Sequence, residues 1–127
     1  MTIIFDSSAM LALLRDESGA DVVAAAMPGA VMCAVNVAEV AERLRRDFEK
    51  GAVQKSLDLI LPITIAVDKE LAIAAGFMRA TTLSAGLSLG DRFCLALGAR
   101  MNVPVLTADR AWVKISDAVG VEVRLLR

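Results

Sequence analysis

Val103-Pro104-Val105-Leu106-Thr107-Ala108-Asp109-Arg110-Ala111-Trp112 is the stretch whose reading decides the fold. Val103, Val105 and Leu106 make a short apolar run rich in β-branched residues, the pattern of a buried strand. The run ends at Thr107, and Asp109 stands where the chain turns into a helix. The beginning of the chain repeats the plan. Thr2-Ile3-Ile4-Phe5 reads as a strand, and Asp6-Ser7-Ser8 starts a helix. A carboxylate just beyond a buried strand therefore occurs twice.

Between these two stretches, strands and helices alternate. A helix is expected from about Ser8 to Arg15, then a polar turn, then a short helix Ala20 to Met27 stopped by Pro28-Gly29. Ala30 to Val35 reads as a buried strand. Asn36 opens an amphipathic helix to about Lys50, with Gly51 at its end and Val37, Val40, Ala41, Leu44 and Phe48 on one face. A hairpin partner covers Ala52 to Leu61. A strand Ile63 to Val67 leads into a long helix from Asp68 to about Ser84. The helix Asp91 to Met101 is apolar nearly all round and should be buried. After the strand 103–106 come a short helix from Asp109 to about Lys114 and a last strand, Val121 to Leu125. This order indicates an α/β class, three layers around a short, mostly parallel sheet, in a single domain over 1–127. In such sheets the ligand crevice lies at the carboxyl ends of the strands.

Composition narrows the chemistry. Of the 127 residues, 57% are hydrophobic, and the mean hydropathy is +0.60. The longest uncharged run, Val22 to Ala38, is interrupted by Pro28-Gly29 and is too short to span a bilayer. No basic segment precedes the apolar start, so a cytoplasmic protein without a membrane partner is expected. The surplus apolar surface suits an oligomer or partner interface as well as a core. A net charge of −1 gives no global case for nucleic acid binding and leaves it to local clusters. Cys33 and Cys94 sit in apolar surroundings without metal or redox spacing, as buried thiols do. Histidine is absent, which removes His-based triads, general bases and zinc sites. Catalysis here must rest on carboxylates, hydroxyls, Lys, Arg or a metal ion.

Four acids occupy matching places: Asp6, Glu39, Asp91 and Asp109, each at or near a helix start. Singly, each is explained by capping. Asp6 and Asp109 can cap the helices they precede, and Asn36 with Glu39 and Ser88 with Asp91 both have capping-box spacing. Jointly, Asp6 and Asp109 must lie at the carboxyl edge, and Glu39 follows its strand closely enough to reach it. Asp91 completes the set if the start of its helix reaches the same edge. Clustered carboxylates repel, and a hard divalent cation resolves the repulsion; Mg²⁺ or Mn²⁺ suits such oxygen ligands. Such ions bind phosphates and activate water for phosphodiester hydrolysis, chemistry that needs no histidine.

These residues carry a family resemblance. Asp6-Ser7-Ser8 after a strand, Asn36-x-x-Glu39, Leu89-Gly90-Asp91-Arg92 opening a buried helix, and Leu106-Thr107-Ala108-Asp109 after a strand resemble the acidic motifs of the PIN-domain nucleases. The length, the helical hairpin after Glu39 and the carboxyl-terminal stretch resemble the small VapC-type toxins of bacterial toxin–antitoxin pairs. The resemblance implies a PIN-like fold and an Mg²⁺- or Mn²⁺-dependent endoribonuclease acting on structured RNA such as transfer or ribosomal RNA. Asp6, Glu39, Asp91 and Asp109 would be the metal-binding and catalytic acids, with Ser7, Asn36 and Thr107 in support. It also implies a homodimer and a cognate VapB-type antitoxin.

Arg43, Arg46, Arg92 and Arg110 are candidates for RNA phosphates, set against a solvated face with local ion pairs. Arg92 can alternatively pair with the acids. Asp117 reads as a turn residue and Glu42 as a solvated partner of Arg46, with metal assistance as the alternative for each. Trp112 can stack a base, though a lone Trp on a short helix is more often core. A phosphoacceptor receiver domain fits worse, for want of an acidic pair at Asp6 and of a Lys-Pro dipeptide. A haloacid-dehalogenase-like phosphatase would need an acid where Ser8 stands. A PIN-fold nuclease outside a toxin–antitoxin pair and a non-catalytic PIN-like binding module are the alternatives nearest to the main reading.

Overall fold

The computed structural model describes residues 1–127. Five short strands, β1 (Ile3–Phe5), β2 (Ala30–Cys33), β3 (Ile63–Ile65), β4 (Val105–Thr107) and β5 (Val123–Leu125), form one sheet in the order β3-β2-β1-β4-β5. Every pairing is parallel, with Ile4 opposite Val31 on one side and Val105 on the other. β1 is therefore central.

Alternation along the inner strands divides the apolar side chains between two cores. Ile3, Phe5, Ala30, Met32 and Leu106 face one layer, packed by helices α1 (Ser7–Leu14), α2 (Ala20–Ala26), α3 (Ala34–Arg45) and α4 (Lys50–Ile60). Ile4, Val31, Cys33 and Val105 face the other, which holds α5 (Lys69–Phe77), α7 (Leu89–Met101) and Trp112. Between α5 and α7 lies the single turn α6 (Arg79–Thr82). α7 is buried along Phe93 to Gly98, as its all-round apolar sequence predicts. Trp112 is fully buried on the 3₁₀ turn Arg110–Ile115, which precedes α8 (Ser116–Val119), so it is core and not a stacking platform.

The sheet is wholly parallel where the sequence suggested mostly parallel, and several element boundaries differ. β2 ends at Cys33 and α3 begins at Ala34, so Asn36 lies inside the first turn and does not cap the helix. α3 ends at Arg45, and Gly51 belongs to the first turn of α4 instead of closing α3. Phe48 thereby falls in the connection and is 55% exposed, off the face formed by Val40 and Leu44. The long helix expected from Asp68 breaks after Phe77. Thr82 Oγ1 donates to Met78 O at 2.8 Å, the back-bonding by which β-branched hydroxyl residues bend helices.

Gly98 of α7 lets that helix lie on the sheet. A Cβ there would stand 2.8 Å from Val105 Cγ1 and 3.1 Å from Val121 Cγ1, and β-branched side chains are stiff about their first torsion. We expect Gly98→Ala to lower unfolding free energy by about 1–3 kcal/mol in urea titrations. Gly76→Ala on α5, where a Cβ meets nothing, should raise it by roughly 0.5–1 kcal/mol. Equal effects at the two positions would show that close packing of α7 on the sheet is not limiting.

Candidate active site

Because the strands are parallel, each connection that returns to the sheet starts its next strand from the opposite edge. α7 feeds β4, so its first turn lies at the carboxyl edge, beside the ends of β1 and β4. At that edge the chain order reverses across β1, with β2 on one side and β4 on the other, which is where such sheets form a crevice.

Two hydrogen-bonded units stand there. The first centres on Asp6, 4% exposed at the end of β1. Its Oδ2 accepts from Thr107 Oγ1 at 2.6 Å, and its Oδ1 accepts from Ser8 Oγ at 2.7 Å and from Ala9 N at 2.9 Å, which caps α1. Thr107 Oγ1 in turn accepts from Asp109 N at 3.0 Å, and Ser8 Oγ accepts from Ala108 N at 2.9 Å. Asp109 is exposed and caps the following turn by accepting from Ala111 N. The hydroxyls beside Asp6 are thus that of Thr107, one of the two that the resemblance implied, and that of Ser8, next to the other, Ser7. Ser7 makes no hydrogen bond to the acids. The cue lay in Asp6-x-Ser8, since a side chain two residues past a capping Asp faces back toward it.

The second unit joins α3 to α7. Asn36 is buried, and its Nδ2 donates to Glu39 Oε1 at 2.7 Å and to Gly90 O at 3.0 Å. Asn36 Oδ1 is buried without a partner. The Glu39 carboxylate lies directly on Gly90, where a Cβ would stand 2.3 Å from Oε2. Asp91 forms the capping box foreseen at this position. Its N donates to Ser88 Oγ at 3.2 Å, and its Oδ2 accepts from Ser88 N at 2.9 Å. The corresponding box at Asn36 and Glu39 does not form, because the helix begins two residues earlier.

The two units sense one another through charge. Burial lifts Asp6 to a pKa of about 6 against the hydrogen bonds from Thr107, Ser8 and Ala9, and the charge of Asp91 adds to the rise. Burial also raises Asp91, aided by Asp109 and opposed by the Ser88 bonds and Arg92. Burial pushes the Cys94 thiol well above its usual range, with Asp6, Cys33, Asp91 and Glu39 contributing, and Cys33 is likewise raised by burial. Both thiols are thereby held protonated.

None of the four acids forms an ion pair. The ion pairs are Arg15 with Asp47, Arg100 with Asp68, and Arg124 with Glu122. The pair expected between Glu42 and Arg46 does not form, and both side chains are exposed. Arg92 does not close on a carboxylate; it donates to Ala75 O at 3.2 Å and Ser88 O at 3.4 Å. Arg43, Arg46 and Arg110 are exposed. Asp117 sits in the short α8, exposed, where its backbone carbonyl accepts from Gly120 N.

The donor chemistry of this edge fits a hard divalent cation: carboxylates, hydroxyls and the Asn36 carboxamide, with no ammonium or guanidinium in an ion pair with the acids. Its present geometry is looser, for no three acidic side chains stand close enough to share one ion. Asp91 Oδ2 and Glu39 Oε1 are each committed to a neighbouring nitrogen donor instead.

A family model described as PIN domain matches residues 3–118. No curated protein matches. Among solved structures, a DNA-bound VapBC complex from Salmonella typhimurium aligns with a TM-score of 0.76 at 12% identity, covering 100% of this chain and 99% of its own. A toxin–antitoxin complex from Klebsiella pneumoniae aligns at 0.75 and 16% identity, covering 99% and 98%. VapBC2 from Rickettsia felis, bound to a fragment of promoter DNA, aligns at 0.72 and 14% identity, covering 98% of each chain. At these identities the likeness is one of fold.

The raised Asp6 makes a signed pH prediction. Between about pH 4 and 6 the folded protein keeps a proton that the unfolded chain has released, so stability falls as pH rises through that window and levels above it. A shift from 3.8 to about 6 corresponds to roughly 3 kcal/mol, and Asp91 acts in the same direction. Asp6→Asn should flatten most of that fall in metal-free melting curves. Thr107→Val should move the Asp6 carboxyl resonance midpoint further upward, because it removes a donor to the ionised form. An Asp6 midpoint near 4 in the native protein would contradict both expectations.

Proposed function

The chain belongs to the PIN domain family, and on that premise we propose that it is a metal-dependent endoribonuclease serving as the toxin of a toxin–antitoxin pair. PIN domains are generally nucleases that use divalent metals. One observation carries the reading to this chain: Asp6, Asp91 and Asp109 gather at the carboxyl edge with no cation paired to any of them, and the charge of Asp91 adds to the burial that raises Asp6 while that of Asp109 adds to the burial that raises Asp91. A purely capping set has no need of that crowding of like charge, and Asp68, a helix cap elsewhere in the chain, has its charge met by Arg100.

Asp6, Glu39, Asp91 and Asp109 are the residues that would hold Mg²⁺ or Mn²⁺. The cation would supply Lewis-acid polarisation of a phosphoryl oxygen. The remaining work falls to the chain. Thr107 and Ser8 fix the two oxygens of Asp6 in orientation, and Asn36 does the same for Glu39. Arg43, Arg46, Arg92 and Arg110 supply positive charge for the RNA backbone.

Partner calls follow the same premise. Solved structures of the same fold include toxin–antitoxin complexes, which supports a cognate antitoxin. An apolar cleft lined by Leu14, Leu44, Phe48 and Val53 offers such a segment a surface to bury. A homodimer agrees with the apolar side chains left uncovered on α5 and β3, among them Phe77 at 80% and Ile63 at 70% exposure.

Purified protein freed of antitoxin should cleave RNA from a total cellular preparation in Mn²⁺ or Mg²⁺ and stop in excess EDTA. Asp6→Asn and Asp91→Asn should each lose more than about a hundredfold in cleavage, beyond the usual cost of altering a group that only supports a metal ligand. Their melting temperatures should stay at or above that of the unaltered protein. Induced expression should arrest growth, and the same substitutions should relieve the arrest. Asn variants that cut as fast as the parent would remove these acids from the chemistry.

A further inference from the structure

Beside the acids, along α1, opens a polar pocket of about 180 Å³. Ser7, Ser8, Arg15, Glu17, Arg43 and Arg127 line it. The cations come from elements far apart in sequence: the end of α1, the last turn of α3, and the residues after β5. Three guanidiniums face one carboxylate. Arg127 donates to Ser18 O at 2.7 Å, a contact that leaves its charge unmatched. Arg15 reaches Arg43 O at 3.5 Å and stands 3.5 Å from the exposed Asp47 carboxylate. The Arg43 side chain forms no ion pair.

We propose that this pocket binds a backbone phosphate of the RNA, neighbouring the phosphate presented to the acids. The inference rests on the nuclease reading above and adds to it where the strand runs. Ser8 carries the argument, for it belongs to both places. Its hydroxyl donates to Asp6 Oδ1, and Ser8 is among the residues that line the pocket. A strand presented to the acidic edge therefore lies next to the arginines. Electrostatics favour such a feature. A polyanion approaching four carboxylates is repelled, and a chain of net charge −1 offers no general attraction. Guanidinium groups match phosphate oxygens in pairs of parallel hydrogen bonds, and hydroxyls such as Ser7 add donors.

Binding and cleavage are to be read separately. Fluorescence anisotropy of a short, labelled, mixed-sequence single-stranded RNA is measured in Ca²⁺, and cleavage of the same RNA in Mn²⁺. Arg43→Ala and Arg127→Ala should each weaken binding about tenfold, the size of one charge-assisted hydrogen bond. Each should also lower the slope of log affinity against log salt by about 0.7. Arg15→Lys, which keeps the charge but not the fork, should weaken binding less than Arg15→Ala. Arg79→Ala, exposed on α6, should change nothing. In cleavage, the pocket variants should raise KM and spare kcat. RNA binding by Arg43→Ala and Arg127→Ala equal to that of the parent overturns the pocket and leaves the nuclease reading standing. RNA binding that depends on these arginines in a protein that never cleaves RNA supports the pocket and overturns the nuclease reading. A parent protein that binds no RNA overturns both.

Discussion

One hydroxyl holds together the parts of this molecule that matter most. Thr107 Oγ1 donates to the buried Asp6 carboxylate and accepts from the backbone of Asp109. It thereby ties the end of β1 to the end of β4, at the seam where the chain order reverses. The same carboxylate starts α1 through Ala9 N. A buried carboxylate survives only if its lone pairs are met, and here two hydroxyls and one amide meet them. Sheet seam, helix start and acidic edge thus share a single group.

The parallel sheet does the rest of the positioning. Short strands expose little edge but deliver Asp6 and Asp109 to one rim because the chain leaves β1 and β4 in the same direction. α7 must run against them to reach the start of β4, which brings Gly90 and Asp91 to that rim. α3 comes down beside it, and Asn36 stitches the two helices together. The all-apolar middle of α7 is what allows this: a helix buried from Phe93 to Gly98 can pass through the layer as a rigid spacer.

Much of this was legible from the chain because it follows from order alone. Two strands followed by acids must put those acids on the same rim if the sheet is parallel, and Asp6 and Asp109 obey. Asp68 shows the limit of that rule. It also follows a strand and caps a helix, yet it pairs with Arg100, at the far end of α7 from Asp91. Nothing in the local sequence separates it from the others; only the antiparallel course of α5 and α7 does. Asn36 and Glu39 have capping-box spacing, but β2 gives way to helix two residues earlier, and the Asn becomes a bridge to Gly90 instead. Ser8 in place of Ser7 is a matter of which side of the first helical turn faces Asp6. Phe48 left its predicted face because α3 stopped at Arg45. In each case the missing knowledge was tertiary: which helix lies opposite, and where its first turn begins.

Gly90 has a consequence for how this protein can change. The space where its side chain would be is filled by the Glu39 carboxylate, fifty-one positions away in the chain. An alanine at position 90 would push that carboxylate, the mobile end of its side chain, out of its place and away from Asn36 Nδ2, whereas a shorter side chain at position 39 removes the clash. The effect of a substitution at one position is therefore conditional on the other. What the missing side chain secures is the pose of the acid: a methyl group at position 90 would be felt first in where Glu39 points, and only second in the packing of the helix that carries it.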